Sequence, residues 1–178
     1  AFAAHTDITI VQIDAHIDWR DEVQGERWGL SSTMRRASEF AGVKAMVQIG
    51  ARGMGSARPS DVADAKAAGS QIIDMRTLRA KGLGHASNCV PEGRPVVICL
   101  DVDGLDPSVV PGITGFAPGG LGYADIVELL NGVAARAPII GFNLVEFVPE
   151  NDIGALGVRT VCRLAMLGAG LLARSAKS

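Results

Sequence analysis

The chain has 178 residues, which suits one domain with a sizeable core, and we treat residues 1–178 as a single domain. Hydrophobic residues make up 48% of the sequence and aromatic residues only 4%, so the predicted core is aliphatic. The net charge of −2, from 17 basic and 19 acidic residues, gives no electrostatic case for binding nucleic acid or an acidic membrane surface.

Apolar runs alternate with helical patterns along the chain. Five segments rich in Val and Ile, apolar on both faces, predict buried parallel strands at 8–14, 44–50, 71–75, 95–101 and 138–146. Helices are predicted at 31–41, 59–68, 122–135 and 154–174, the last two from apolar residues repeated at helical spacing. This order predicts an α/β fold with a mostly parallel sheet.

Ligand-type side chains follow three of the predicted strands. They are Asp14, His16, Asp18, Asp101, Asp103 and Glu146. Because ligands bind outside the carboxyl ends of strands in open α/β sheets, we expect these groups to meet at one rim of the sheet. If each segment stays extended, alternation places Asp14, His16 and Asp18 on one side, and Asp101 and Asp103 likewise. Carboxylates this close together could not all stay ionised without compensating cations.

An oxygen-rich set with one imidazole and no nearby thiolate favours a harder ion such as Mn²⁺ over a structural Zn²⁺. Two carboxylate clusters suit a two-metal site, with ions about 3.5–4 Å apart and a water-derived hydroxide between them. Single positions have structural alternatives: one Asp as a helix cap or turn former, His16 as a hydrogen-bonded structural residue, and Glu146 as an isolated acid after a strand. The joint pattern favours the metal-site interpretation.

The cysteines and the hydropathy pattern bear on the compartment. Cys89, Cys99 and Cys162 form no metal-binding spacing, and Cys99 and Cys162 lie in apolar segments that predict core positions. An odd count without a disulfide framework favours a reducing compartment. The sequence shows no signal peptide and no run of about 18 apolar residues, so we expect a cytoplasmic protein without a membrane span. His5 and His85 lack ligand spacing and are interpreted as surface residues.

Two motifs resemble those of the ureohydrolase family, which includes arginase, agmatinase and guanidinobutyrase. The family's D-A-H-x-D motif corresponds to residues 14–18, and its S-x-D-x-D-x-x-D-P motif to residues 99–107, with Cys99 in the place of the Ser. Residues 111–121 resemble the family's glycine-rich loop, and residues 144–149 its Val-Glu-x-x-Pro segment. The resemblance spans nearly the whole chain. It implies a three-layer α/β/α fold of the arginase type with a mostly parallel sheet.

The resemblance also implies an activity, that of a binuclear manganese amidino hydrolase. Its substrate would be a small linear guanidino compound, agmatine-like or a guanidino acid, cleaved to urea and an amine. In the family scheme Asp14 and Asp101 bridge two Mn²⁺ ions, and His16 and Asp103 complete the shell of one of them. Asp18 belongs to the other ion, orients the hydroxide and handles its proton. Glu146 faces the substrate guanidinium, so Asp18 and Glu146 are the catalytic pair. The family further implies a homo-oligomer, a trimer or a hexamer.

Three departures from the family pattern qualify these expectations. Longer members carry a G-G-D-H-S motif upstream, whose His ligates the Asp18-side metal, and nothing before Asp14 matches it. The chain also begins with Ala, so we expect an N-terminally truncated member that holds at most one ion tightly, on the His16 side, with impaired activity. The stretch 28–34 contains no His where many members have His-Gly, and Asn143 stands where Asp is usual.

Two alternatives stay open from the sequence. One is another metal-dependent hydrolase chemistry on the same scaffold, such as deacetylation, which would call for a zinc site and a pair of histidines. The other is an inactive, truncated or degenerate chain that folds and oligomerises without turnover. Metal stoichiometry separates them: an intact binuclear site binds two ions per chain, and a remnant binds one or none.

Overall fold

The computed structural model describes residues 7–53, 55 and 57–177, so the expectation for His5 lies outside the described residues. The described strands form a parallel sheet in the order β3-β2-β1-β4-β5. Their bounds are β1 (Ile8–Ile13), β2 (Val43–Ile49), β3 (Ser70–Ile73), β4 (Val96–Asp101) and β5 (Ile139–Val145). The first and last residues of each strand lie within two residues of the predicted bounds, so the prediction of a parallel sheet is confirmed.

The helices are α1 (Thr33–Ser38), α2 (Pro59–Ala67), α3 (Met75–Lys81), α4 (Leu83–Asn88), α5 (Tyr123–Arg136) and α6 (Leu156–Ser175). The predicted helix at 31–41 is shorter than expected and opens with the 3₁₀ turn Leu30–Ser32. Sequence analysis missed α3 and α4, and it placed His85 in an irregular surface segment, whereas His85 is half-buried within α4. Both helices are too short to display a helical period. The start of α3 is set locally, because the Asp74 carboxylate accepts a hydrogen bond of 2.7 Å from the Thr77 N–H.

Helices cover both faces of the sheet. Successive residues of β1 point to opposite faces, so Ile10 packs with α1 and α2 in one hydrophobic cluster. Val11 and Ile13 belong to a second and larger cluster on the other face, which includes apolar residues of α3 to α6. This arrangement confirms the predicted three-layer α/β/α fold.

The longest helix, α6, corrects two expectations. Cys162, predicted to be a core residue, is exposed, and Leu156, one of the apolar residues whose helical spacing predicted this helix, is 46% exposed. The buried face of α6 instead carries Leu164, Gly168 and Leu171, which pack toward β5. By length and composition α6 could cross a membrane, but the core helix of a globular domain passes the same test, so this is weak support for a membrane span.

Two glycines of α6 provide a test of how closely the helix packs on the sheet. A Cβ at Gly168 would lie 2.6 Å from Cδ1 of Phe142 on β5, whereas a Cβ at Gly170 would meet nothing within 4 Å. We expect Gly168→Ala to lower the free energy of unfolding by about 1–3 kcal/mol through overpacking. The matched change Gly170→Ala should raise it by about 0.5–1 kcal/mol, because Ala is the better helix former. Urea denaturation measures both, and equal effects would contradict this packing.

Candidate metal centre

The fold brings the predicted ligand groups to one place. From β1 the chain moves outward to β2 and β3, and then returns to β4 and β5 on the other side of β1. The carboxyl ends of β1 and β4 therefore meet where the strand order reverses, which is where ligands bind in open α/β sheets. Asp14 directly follows β1, Asp101 ends β4, and Glu146 directly follows β5.

Two groups of potential metal ligands share Asp14. Asp14, His16 and Asp103 form the first triad, and Asp14, Asp18 and Asp101 form the second. Within each triad, one ligand atom from every residue lies within 4.8 Å of the others. Both triads could hold a metal ion, with Asp14 placed to contact either one.

The backbone conformation that brings these ligands together differs from the prediction. Residues 14–16 form a bend rather than an extension of β1, and Asp18 has a left-handed φ of 49°. After Asp101 the chain enters the 3₁₀ turn Val102–Gly104. The expectation of two extended segments with alternating side chains is therefore wrong. Because the chain curls, Asp101 joins the triad of Asp18 and Asp103 joins the triad of His16.

Hydrogen bonds hold the His16 triad in place. The Nδ1 atom of His16 lies 3.2 Å from Asp14 Oδ1 and 3.2 Å from Asp103 Oδ2. The backbone N–H of His16 donates to Asp14 Oδ1 at 2.7 Å, and that of Ala15 donates to Asp103 Oδ1 at 3.3 Å. The turn after β1 thus fixes both carboxylates against the imidazole.

The electrostatics of the cluster favour bound cations. Burial, reinforced by the neighbouring acids, raises the pKa of Asp101 to about 9. Burial is also the main cause that raises the pKa of Asp14 to about 7 and that of Asp18 to about 6. Hydrogen bonds to Asp103 and Asp14 raise the pKa of His16 to about 10. Burial opposes ionisation of Asp103, but the hydrogen bonds from His16 and Asp14 outweigh it and lower the pKa of that carboxyl.

This donor set fits manganese. Four carboxylates and one imidazole are ligands that suit a hard divalent ion. Cys99 also lines the site, but burial raises the pKa of its thiol to about 12, so it offers no thiolate at neutral pH. A divalent ion would offset the like charges that raise the pKa values of Asp14 and Asp101.

The centre opens into a cavity of about 360 Å³. Its lining includes Glu146 and Asn143 from the β5 side, Leu30 and Met34 from the α1 side, and Gly115 from the loop before α5. The charged side chains in this lining are acidic except for His16. Glu146 also has a left-handed φ of 66°, a conformation that is uncommon for non-glycine residues. The cavity is thus suited to a small cation.

Sequence analysis missed three residues that support the centre. Thr33 donates a hydrogen bond of 2.8 Å from its hydroxyl to Asp18 Oδ2, and Gln12 donates one of 2.6 Å from its amide to Asp14 Oδ2. Arg52 donates to the backbone carbonyls of Gly50, Asp103, Gly104, Leu105 and Ala117 at 2.7–3.2 Å. A polar Gln within a mostly apolar strand and an Arg just after a strand were the available signals.

Comparisons with known proteins agree with this geometry. A model of the arginase family matches residues 1–170. Arginase 1 of Arabidopsis thaliana, a mitochondrial protein, is 30% identical over 146 residues, or 82% of this chain and 41% of that protein. The agmatinase of Pyrococcus horikoshii is 29% identical over 164 residues, covering 92% of this chain and 55% of its own length. The structure of proclavaminate amidino hydrolase from Streptomyces clavuligerus is similar with a TM-score of 0.89 and 26% identity, over 97% of this chain and 58% of that one.

The chain spans about half the length of the curated relatives that it matches. The family model nevertheless covers nearly all of its residues, and the two ligand motifs lie within the matched region. The structural similarity extends over the sheet and the helices on both of its faces. The chain therefore belongs to the arginase family, the ureohydrolases that its sequence motifs resemble.

Proposed function

We propose that this protein is a manganese amidino hydrolase with a binuclear site, in which the ion on the His16 side is held more tightly than the ion on the Asp18 side, and that residues 1–178 form one ureohydrolase-like domain. The observation that carries the proposal is the pair of ligand triads that share Asp14 and whose other members, His16, Asp18, Asp101 and Asp103, line an acidic cavity. Membership of the arginase family supports the same class of reaction. The substrate class is a small linear guanidino compound, agmatine-like or a guanidino acid, which would yield urea and an amine.

In this proposal the aspartates and His16 bind the ions. Asp14 and Asp101 would serve both Mn²⁺ ions, His16 and Asp103 would hold one of them, and Asp18 would hold the other. When bound, the ions supply a hydroxide nucleophile at neutral pH and stabilise negative charge that develops during the reaction. The placement of Asp14 in both triads supports its bridging role. Neither described triad contains a pair of histidines, which the deacetylase-like alternative would call for.

The remaining residues act on the substrate and its protons. Glu146 lines the same cavity as His16 and Asp18, and its carboxylate would bind and orient the planar guanidinium. The Asp18 carboxylate lines the same cavity and would orient the nucleophile and take up its proton. The hydroxyl of Thr33 keeps Asp18 oriented for this role.

The proposal extends to the assembly and the compartment. As the family resemblance implies, we propose a homo-oligomer, a trimer or a hexamer, with small guanidino substrates as its ligands. We also propose a cytoplasmic location, because three cysteines without a disulfide framework favour a reducing compartment. Neither nucleic acid nor a membrane is a proposed partner, because the chain carries a net charge of −2.

Replacing a bridging ligand tests the metal centre. We expect Asp101→Ala or Asp14→Ala to abolish bound Mn²⁺, because each removes a carboxylate that would serve two ions. The matched control is Asp106→Asn, since Asp106 lies on the same segment but accepts hydrogen bonds from Ser108 and Gly119 instead of joining a triad. Metal analysis after desalting measures the content of each variant. Full occupancy in Asp101→Ala would refute the assignment.

Replacing Glu146 tests the substrate role separately from the metal. Glu146→Gln should keep its Mn²⁺ but release urea from agmatine or guanidinobutyrate about 10²-fold more slowly, which is comparable to losing one charge-stabilising group. Glu150→Gln is the control, because Glu150 is exposed and does not line the cavity. Equal rates of urea release from the Glu146 and Glu150 variants would argue against this role.

A further inference from the structure

A row of buried polar side chains lies behind the proposed metal centre. Gln12 on β1, Gln48 on β2 and Ser70 on β3 are only 1%, 1% and 6% exposed. They belong to three neighbouring strands whose other buried residues are mostly aliphatic. Burying an amide or a hydroxyl is unfavourable unless hydrogen bonds replace those to water. None of the three is a ligand in the family scheme, so their presence calls for another explanation.

The three side chains form a continuous chain of hydrogen bonds that ends on a metal ligand. The Ser70 hydroxyl donates to Gln48 Oε1 at 2.7 Å. Gln48 Nε2 donates to Gln12 Oε1 at 2.6 Å. Gln12 Nε2 then donates to Asp14 Oδ2 at 2.6 Å and lies 3.4 Å from Asp18 Oδ2. The amide oxygen of Gln48 accepts from Ser70, and the amide oxygen of Gln12 accepts from Gln48. The NH₂ group of Gln12 is therefore turned toward the carboxylates.

The row also supports the turn that carries the other ligands. Gln48 Nε2 donates a second hydrogen bond, of 2.7 Å, to the carbonyl oxygen of Ile17. Ile17 lies between His16 and Asp18, so this bond holds the backbone between them. The Gln48 amide therefore acts on the turn directly, and on Asp14 through Gln12.

We propose that Gln12 is a positioning residue for divalent-cation binding, held in its orientation by Gln48 and Ser70. Its amide keeps the carboxylate of Asp14, the residue common to both triads, in the orientation that two ions require. A neutral donor suits this task, because it satisfies one oxygen without adding a positive charge that would compete with the ions. The inference rests on the proposed metal centre but not on the identity of the substrate.

Gln12→Met is the direct test, since it keeps most of the side-chain volume and removes the donor. We expect the dissociation constant for Mn²⁺, measured by calorimetry on the whole chain, to rise about 10–100-fold, as for other residues that orient a metal ligand. The electron paramagnetic resonance spectrum of bound Mn²⁺ should change as well, because the ligand geometry changes. Urea denaturation without metal confirms that the variant is folded.

The matched control is Thr9→Val on the same strand. The Thr9 hydroxyl is buried and has no hydrogen-bond partner in the described structure, so this change removes a buried polar atom without touching the row. It should leave both the Mn²⁺ affinity and the spectrum unchanged. Gln48→Met serves as a second variant: it leaves Gln12 in place but frees its amide to rotate, so we expect a severalfold weaker affinity.

The outcomes separate the inference from the proposed function. Wild-type affinity in folded Gln12→Met, or in folded Gln48→Met if the first variant does not fold, would overturn the positioning role while leaving the metal centre intact. An equal loss of affinity in Thr9→Val would also overturn it, because the effect would then follow general destabilisation. Failure of the wild-type chain to bind Mn²⁺ would overturn the proposed function itself, and this inference with it.

Discussion

The mutual repulsion of carboxylates that are withdrawn from water is the constraint on which the rest of this structure depends. Asp14, Asp18 and Asp101 lie together at the ends of β1 and β4, and burial raises the pKa of each. An isolated cluster of this kind would be unfavourable to fold, because each charge disfavours the next. The cluster is compatible with the parallel sheet because divalent cations can bind between the carboxylates. The repulsion that opposes folding thereby provides affinity for metal.

Meeting this constraint requires close contact between two segments that are distant in sequence. Gly104 lies against the turn after β1 so closely that a Cβ there would be 2.9 Å from the backbone nitrogen of Asp14. Arg52, just beyond β2, donates hydrogen bonds to the carbonyls of Asp103, Gly104 and Leu105 on the opposite segment. The guanidinium thus joins the ends of β2 and β4 through their backbones. Its donors go to carbonyl oxygens and leave the ligand carboxylates free to bind metal.

The polar groups that do contact the carboxylates are mostly neutral. Thr33 supplies a hydroxyl to Asp18, and Gln12 supplies an amide to Asp14. Neutral donors orient a carboxylate without neutralising it, which preserves the negative potential that attracts cations. Among the described residues that line the cavity, His16 is the one group that can carry a positive charge, and a metal ligand must lose that charge on binding. The site is therefore organised for cations that arrive from solvent.

Much of this protein is determined by local sequence. Runs rich in Val and Ile identify the five described strands to within two residues, because a strand that is covered by helices is mostly apolar. The same reasoning places Asp14, Asp101 and Glu146 at strand ends, and the parallel order then brings those ends to one rim.

Local sequence could not show that residues 14–18 and 102–104 curl, since left-handed and 3₁₀ conformations at Asp18 and Val102 follow from contacts with distant segments. Nor could it pair Gln12 with Gln48, or Arg52 with Gly104, because these partners meet only after the strands align. The sequence by itself determined which groups are present, at which strand ends they lie and, through its resemblance to a family, which of them belong together; the tertiary structure alone decided the turns and hydrogen bonds that bring these groups into two triads, because those contacts form only once the strands align.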